Sequence, residues 1–271
     1  SRGLGDVYKR QAHGTPTHSS RPLPFETTAI GRLVRALARL QGRDLAPRLT
    51  PETRGVFMAL SRTTVPPLSD DLRTLARTGD EEARNRAAAR VVERSSYPLL
   101  MRALMRDTFA VTLLDAGVKK NVIPGVAQAN VNVRMLPGTT TDEMMSHLKA
   151  ILDDPALEVT IDGGRRDARG YFLGRTAISP SSTDTPLFRA LAEQAKTVWP
   201  RAEVVAAQFE AGTDATPWRK RGVPVYGVYP YPVDNDTLLR MHGNDERVSL
   251  PGLEQGTAWI FRSLREVAER R

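Results

Sequence analysis

From Ala127 to Met135 every second side chain is apolar: Ala127, Ala129, Val131, Val133 and Met135 share one parity, and Gln128, Asn130, Asn132 and Arg134 the other. A period of two belongs to a pleated strand with one covered face and one wet face. Such a strand needs neighbours to pair its backbone and a second layer to cover its apolar face. The flanking sequence offers both. Phe109, Val111 and Leu113 alternate ahead of the turn Asp115-Ala116-Gly117, and Leu157, Val159 and Ile161 alternate before Gly163-Gly164. Pro137-Gly138 ends the central strand, and Thr141 caps a helix through Glu143, Met144, Leu148 and Ile151. Strands and helix in this order predict a small α+β sandwich.

Upstream the period is helical. Ile30, Leu33, Val34, Leu37 and Leu40 form one apolar stripe, with Arg32, Arg35 and Arg39 turned outward and Gly42 as a stop. Residues Leu45 to Arg106 are rich in Leu, Ala and Arg and punctuated by Pro47, Pro51, Pro66, Pro67 and Pro98, which predicts short helices, clearest over Glu81–Val92. After the basic connector Gly164–Gly174 the texture becomes α/β. A helix opens at Thr185-Pro186, strands are predicted over Ala202–Ala207 and Val223–Tyr229, and Ser249 caps a last helix through Leu253, Ile260, Leu264 and Val267. The 271 residues therefore read as two units with a boundary near residue 168. Residues 1–11 carry no periodicity and no targeting pattern, and are read as a non-native leader; a compartment is not assigned.

Composition removes several function classes. There is no cysteine, which excludes disulfide scaffolds, thiolate zinc sites and thiol nucleophiles. No apolar run reaches the roughly 18–20 residues that cross a bilayer, and no membrane partner is expected. Lys+Arg number 39 against 31 Asp+Glu, a net charge of +8, but the cations are scattered. The densest groups, Arg165-Arg166-Asp167-Ala168-Arg169 and Arg219-Lys220-Arg221, lack interleaved aromatics, so no nucleic-acid partner is expected.

Four histidines are available for chemistry. His147 falls mid-helix and reads as a surface or half-buried residue; His13, His18 and His242 lie in loops dense with Gly, Pro, Ser and Thr. Three linked segments give two of them a context. The first is Gly14-Thr15-Pro16-Thr17-His18-Ser19-Ser20-Arg21-Pro22. The second is Gly117-Val118-Lys119-Lys120-Asn121-Val122-Ile123-Pro124, leading to Val133-Arg134-Met135-Leu136-Pro137-Gly138. The third comprises Gly212-Thr213-Asp214-Ala215, Gly222-Val223-Pro224-Val225-Tyr226-Gly227, and Met241-His242-Gly243-Asn244-Asp245-Glu246-Arg247.

In this order the segments resemble the M20 family of dinuclear zinc peptidases, in its carboxypeptidase S-like and N-acyl amino acid hydrolase branch, from about Ala12 to Val267. The resemblance implies a lid (dimerisation) domain over 12–168, carrying a helical insertion at about 45–106, and the C-terminal part of an α/β catalytic domain over 169–271. It implies cleavage of an amide bond, in a peptide or an N-acyl amino acid, next to a free carboxylate by zinc-activated water. It implies a homodimer formed through the lid. His242 falls on the family's last metal ligand. His18, with Thr17 where the family more often has glycine, falls on the histidine that reaches the partner's site and stabilises the oxyanion. Asn121 and Arg134 fall on positions that hold the substrate's carboxylate or carbonyl, and Gly212 and Thr213 on a loop that touches substrate. Asp214 is expected to buttress that loop, and His13 has no assigned role.

The departure is upstream. The family's His-x-Asp motif, bridging aspartate and paired glutamates precede the lid, and no counterpart occurs before residue 12. Glu81-Glu82 belongs to the helical insertion. A catalytic zinc takes about three protein ligands, so the chain is expected to be a fragment, inactive alone, whose two zinc ions need further ligands. The runner-up reading is a non-catalytic dimerisation or ligand-binding module of the same fold.

Overall fold

The computed structural model describes residues 6–161, 180–209 and 213–269. In chain order the elements are β1 (Asp6–His13), β2 (Thr17–His18), a 3-10 turn (Phe25–Thr27), α1 (Ala29–Leu40), α2 (Pro51–Thr63), α3 (Leu68–Arg77), α4 (Glu81–Arg94) and α5 (Pro98–Met105). They continue with β3 (Thr108–Ala116), β4 (Val122–Ile123), β5 (Val126–Arg134), α6 (Thr141–Leu152), β6 (Leu157–Ile161), α7 (Pro186–Val198), α8 (Ala215–Arg219), α9 (Asn235–Arg240) and α10 (Leu250–Glu269). The architecture is α/β, in two units. A sheet unit holds residues 6–48 and 105–161; a helical unit holds 49–104, 180–209 and 213–269. The helices of 49–104, expected as an insertion in the lid, group with the C-terminal residues, and the expected boundary near 168 lies outside the described residues.

In the sheet unit the strand order is β3-β5-β1-β6, and every pairing is antiparallel. The apolar parity of β5 is buried and the polar parity half-buried, as the alternation predicts. α1 and α6 supply the covering layer: Leu33, Ala36 and Leu40 from one, and Met144, Leu148 and Leu152 from the other, pack with Ala127, Ala129, Val131 and Val133. Burying a side chain of Leu size stabilises by about 1.5–3 kcal/mol. α1 begins where the Thr28 hydroxyl accepts the N–H of Gly31. A Cβ at Gly31 would lie 1.8 Å from the Phe25 carbonyl oxygen, so only glycine admits the preceding turn so close. The stripe of α1 is displaced from the expected one: Ala29 and Ala36 are buried and Val34 is exposed, because small residues let the helix settle near the sheet. α6 opens on a full capping box between Thr140 and Glu143.

Within residues 1–11, read as a non-native leader without periodicity, Asp6–Gln11 form most of β1 between β5 and β6. The pattern hid this strand because Arg10 is buried on the same parity as Ala12, breaking the apolar alternation. β3 is an edge strand with a register shift between Val111 and Leu113. Its Val111, Leu113 and Leu114 are exposed.

In the helical unit α2 packs on α3, α3 on α4, and α7 on α10. Thr50, Asp80 and Thr185 cap α2, α4 and α7 through their side chains. The buried Asp71 carboxylate accepts from Arg90 Nε at 2.6 Å and is paired with Arg94 as well. Arg62 pairs with Glu203. The Trp199 and Trp259 rings meet edge to face at 5.4 Å, and Trp259 Nε1 donates to the Leu191 carbonyl.

The strands predicted over Ala202–Ala207 and Val223–Tyr229 are not formed; both segments are irregular, and Val204, Val223 and Val228 are exposed. A strand needs a ladder, and among the described residues neither segment has one. The Val225 N–H and carbonyl are both bonded to the Ser181 hydroxyl instead, each at 2.9 Å. No helix among the described residues is long and apolar enough to cross a membrane.

Candidate functional site

Two of the expected site residues of the sheet unit come together on a two-rung ladder. β2 pairs antiparallel with β4, setting His18 opposite Val122. The Ser19 N–H donates to the Asn121 carbonyl at 3.0 Å. Asn121 therefore sits beside the residue after His18, at the turn into β4. Upstream, the Gly14 N–H donates to the Gly125 carbonyl at 2.9 Å, and a Cβ at Gly14 would lie 2.6 Å from the Ala29 nitrogen. Glycine at 14 lets the approach to His18 run against the start of α1.

The His18 ring is exposed, and its bonds fix its tautomer. Nδ1 accepts the Ser20 backbone N–H at 3.1 Å and lies 2.8 Å from the Ser20 hydroxyl. A backbone N–H can only donate, so Nδ1 carries the lone pair and the neutral ring carries its proton on Nε2. That leaves Nε2–H as a donor with no partner among the described residues. Ser20, quoted in the motif but given no task, is the residue that sequence reasoning missed here.

Arg134 is the last residue of β5, half-buried, opposite Thr108 of β3 and on the same face as Asn130 and Asn132. Among the described residues no acceptor engages its guanidinium. A free planar fork on a half-covered face suits a carboxylate.

The helical unit contains the other two described candidates. Gly212 lies outside the described residues. Thr213 is exposed, and its hydroxyl accepts the N–H of Ala215 at 3.2 Å at the start of α8. Asp214, expected to buttress this loop, is exposed and makes no hydrogen bond among the described residues; the Thr213 hydroxyl does that work. His242 is exposed and stands two residues beyond α9 at φ +63°. A non-glycine residue there is uncommon and strained.

Local bonds impose the His242 conformation. Its N–H donates to Glu246 Oε2 at 3.2 Å, and the Gly243 N–H donates to the Arg240 carbonyl at 2.8 Å. Arg240 is itself held by Asp236 at 2.9 Å and by Asp245. α9 is capped by Asp234, whose carboxyl is held below the usual range by hydrogen bonds from the Thr237 side chain and backbone. Glu246 and Arg240 had no role in the sequence reading, since positioning a neighbour leaves no spacing to detect.

Among the described residues no three His, Asp or Glu side chains converge as metal ligands. The residues described do not make up a zinc site by themselves.

The model of a family described as a peptidase dimerisation domain matches residues 2–160. The human N-fatty-acyl-amino acid synthase/hydrolase PM20D1 is 30% identical over 163 residues, 60% of this chain and 31% of that protein. The probable carboxypeptidase S-like 2 of Dictyostelium discoideum is 28% identical over 241 residues, 88% of this chain and 42% of that protein. The chain thus spans less than half the length of these curated relatives. Among solved structures, the di-peptidase Dug1p of Saccharomyces cerevisiae superposes with a TM-score of 0.57 at 15% identity, covering 98% of this chain and 55% of that one. That likeness concerns the fold.

Proposed function

The chain belongs to the M20 peptidase family, and from that premise we propose that it is part of a hydrolase that cleaves an amide bond, in a peptide or an N-acyl amino acid, next to a free carboxylate. The observation that carries the reading is the exposed His18 side chain, whose Nδ1 is occupied by Ser20 and whose Nε2–H has no partner among the described residues. In the reaction that N–H donates to the substrate carbonyl oxygen as it gains negative charge. Removing a donor of this kind costs about 3–4 kcal/mol of transition-state stabilisation. The Arg134 fork takes the substrate carboxylate, and the Asn121 amide and the Gly212–Thr213 loop contact the rest of the substrate. No described residue is assigned to activating the water. Zinc, two ions in the complete enzyme, is the metal this reading carries, with His242 as one ligand.

In this reading the sheet part of residues 12–168 is a lid that forms a homodimer, and residues 169–271 belong to the catalytic part. Support comes from the exposed apolar residues on the edge strand β3, which leave a surface for a second copy. The reading is tested in the longest natural form of the protein containing this chain. His18→Ala and His242→Ala subunits, each inactive alone, are mixed and verified as mixed dimers. Recovery of activity on an N-acyl amino acid supports a site built from one subunit's His242 and the partner's histidine at position 18. No recovery removes His18 from any partner's site.

A further inference from the structure

Three polar side chains that the proposed function leaves unused meet at the end of β5. The Arg48 guanidinium donates through Nη1 to the Pro137 carbonyl at 2.8 Å and through Nη2 to the Thr139 hydroxyl at 2.6 Å. The same hydroxyl lies 3.0 and 2.9 Å from the two oxygens of Asp107, to which it donates. Asp107 also accepts the N–H of Leu136, a buried residue. The Thr139 hydroxyl thus accepts from a cation and donates to an anion, and residues 136–139 are gripped from both sides. Bonds to ionised groups are roughly twice as strong as neutral ones, so this turn is held far more tightly than its exposure suggests.

Both jaws are anchored. The Arg48 N–H donates to the Met105 carbonyl at 2.8 Å. Asp107 immediately precedes Thr108, the cross-strand partner of Arg134. Gly138 sits at φ +91°, and a Cβ there would stand 3.2 Å from Arg48 Nη1, so glycine gives the guanidinium its place. The result brackets Arg134 between a ladder rung and a clamped turn that begins two residues later. A group that must meet a substrate has to be held to within about 0.5 Å; a strand end with a loose turn after it does not provide that.

We propose that Arg48, Thr139 and Asp107 are positioning residues that set Arg134 for the substrate carboxylate, so that preference for a free carboxylate over its amide depends on the Thr139 hydroxyl. This rests on the reading of Arg134 as the carboxylate grip.

The test uses the whole chain, with the backbone amide of Thr108, the cross-strand partner of Arg134, followed by NMR in every variant during titration with N-acetyl-L-alanine or with N-acetyl-L-alaninamide. Thr139→Val keeps the shape of the side chain and removes both bonds; it is expected to weaken carboxylate binding about fivefold or more and to leave amide binding unchanged. Thr139→Ser restores the hydroxyl and is expected to restore the preference, which a general structural role would not explain. Should Thr139→Val fail to fold, Arg48→Lys serves, since a single ammonium cannot span the Pro137 carbonyl and the Thr139 hydroxyl together; it too should lower the preference. If Thr139→Val or Arg48→Lys binds the carboxylate as the parent does while Arg134→Ala does not, the clamp is refuted and the grip stands. If Arg134→Ala also binds as the parent does, the reading of Arg134 is wrong and the inference falls with it.

Discussion

Arg134 ends a nine-residue strand, opposite Thr108 of its neighbour, whereas His242 stands in a turn beyond a six-residue helix with no buried residue. The first inherits its place from backbone bonds that do not depend on its own side chain. The second is held at φ +63° by the Glu246 carboxylate and by the Arg240 carbonyl, with the Arg240 side chain fixed in turn by Asp236 and Asp245. A ladder tolerates exchange of the residue it carries, while a strained turn responds to every neighbour. The two units therefore differ in how a mutation should spread.

The largest effects probe the cores. Leu148→Ala in the sheet unit and Phe57→Ala in the helical unit remove fully buried side chains, and should cost about 2–5 and 3–5 kcal/mol respectively. Hydrogen exchange should show the first loss across β5 and α6 and the second across α2 and α3. Uniform loss of protection in both variants would erase the distinction between the units.

Next comes function, in the longest natural form of the protein. His18→Ala should lower kcat about 10²–10³-fold with metal content unchanged, whereas His242→Ala should lose metal. Metal analysis separates the two, and a His18→Ala enzyme that lost metal would overturn both assignments.

A smaller effect tests the strain itself. His242→Gly relieves a positive φ that costs a non-glycine residue on the order of 1 kcal/mol. Thermal melting of this variant should therefore rise slightly, and a fall would show that the imidazole itself supports the turn. Replacing Arg134 by Ala at its ladder position should leave melting within about 0.5 kcal/mol.

The smallest effect is a pH dependence. The Glu143 carboxyl is lowered by hydrogen bonds from the Thr140 backbone and side chain, and that of Asp234 by bonds from the Thr237 side chain and backbone. A depressed folded pKa contributes stability that is present above the ordinary carboxylate range and is lost as pH falls through the depressed value. α6 keeps its buried Met144, Leu148 and Leu152 when its cap weakens; α9 has no buried residue to fall back on. Acid should therefore fray the His242 segment before α6, and Asp234→Asn should flatten that early change. Simultaneous fraying would mean that the caps are not the controlling groups.

What could be read from the chain follows the same division. β5, α6, α7 and α10 were legible because each combines a periodic apolar face with a recognisable boundary. β1 was not, since Arg10 occupies a buried position on the parity of Ala12. The predicted strands at 202–207 and 223–229 failed for another reason: short apolar runs specify burial, but a strand also needs a partner, which no local pattern encodes. At the site, motifs singled out His18, Asn121, Arg134 and His242. Of the residues that orient them, Ser20 and Glu246 act locally, whereas Arg48, Asp107 and Thr139 act through bonds across up to 91 positions in sequence, as between Arg48 and Thr139. Spacing carries no trace of such long-range pairs.

The bond from the Arg48 N–H to the Met105 carbonyl has a consequence for chain length. It joins Arg48, just ahead of the 49–104 segment, to Met105, the last residue of α5, so the path leaves the sheet unit and returns to it at one point. A detour that begins and ends in the same place can lengthen or shorten without altering what it interrupts, because closing a longer loop costs only about 0.6 kcal/mol per doubling. Replacing 49–104 by a few glycines and serines should leave the sheet and the Arg48–Asp107 clamp intact. The doorway is fixed, and the corridor behind it is free to change.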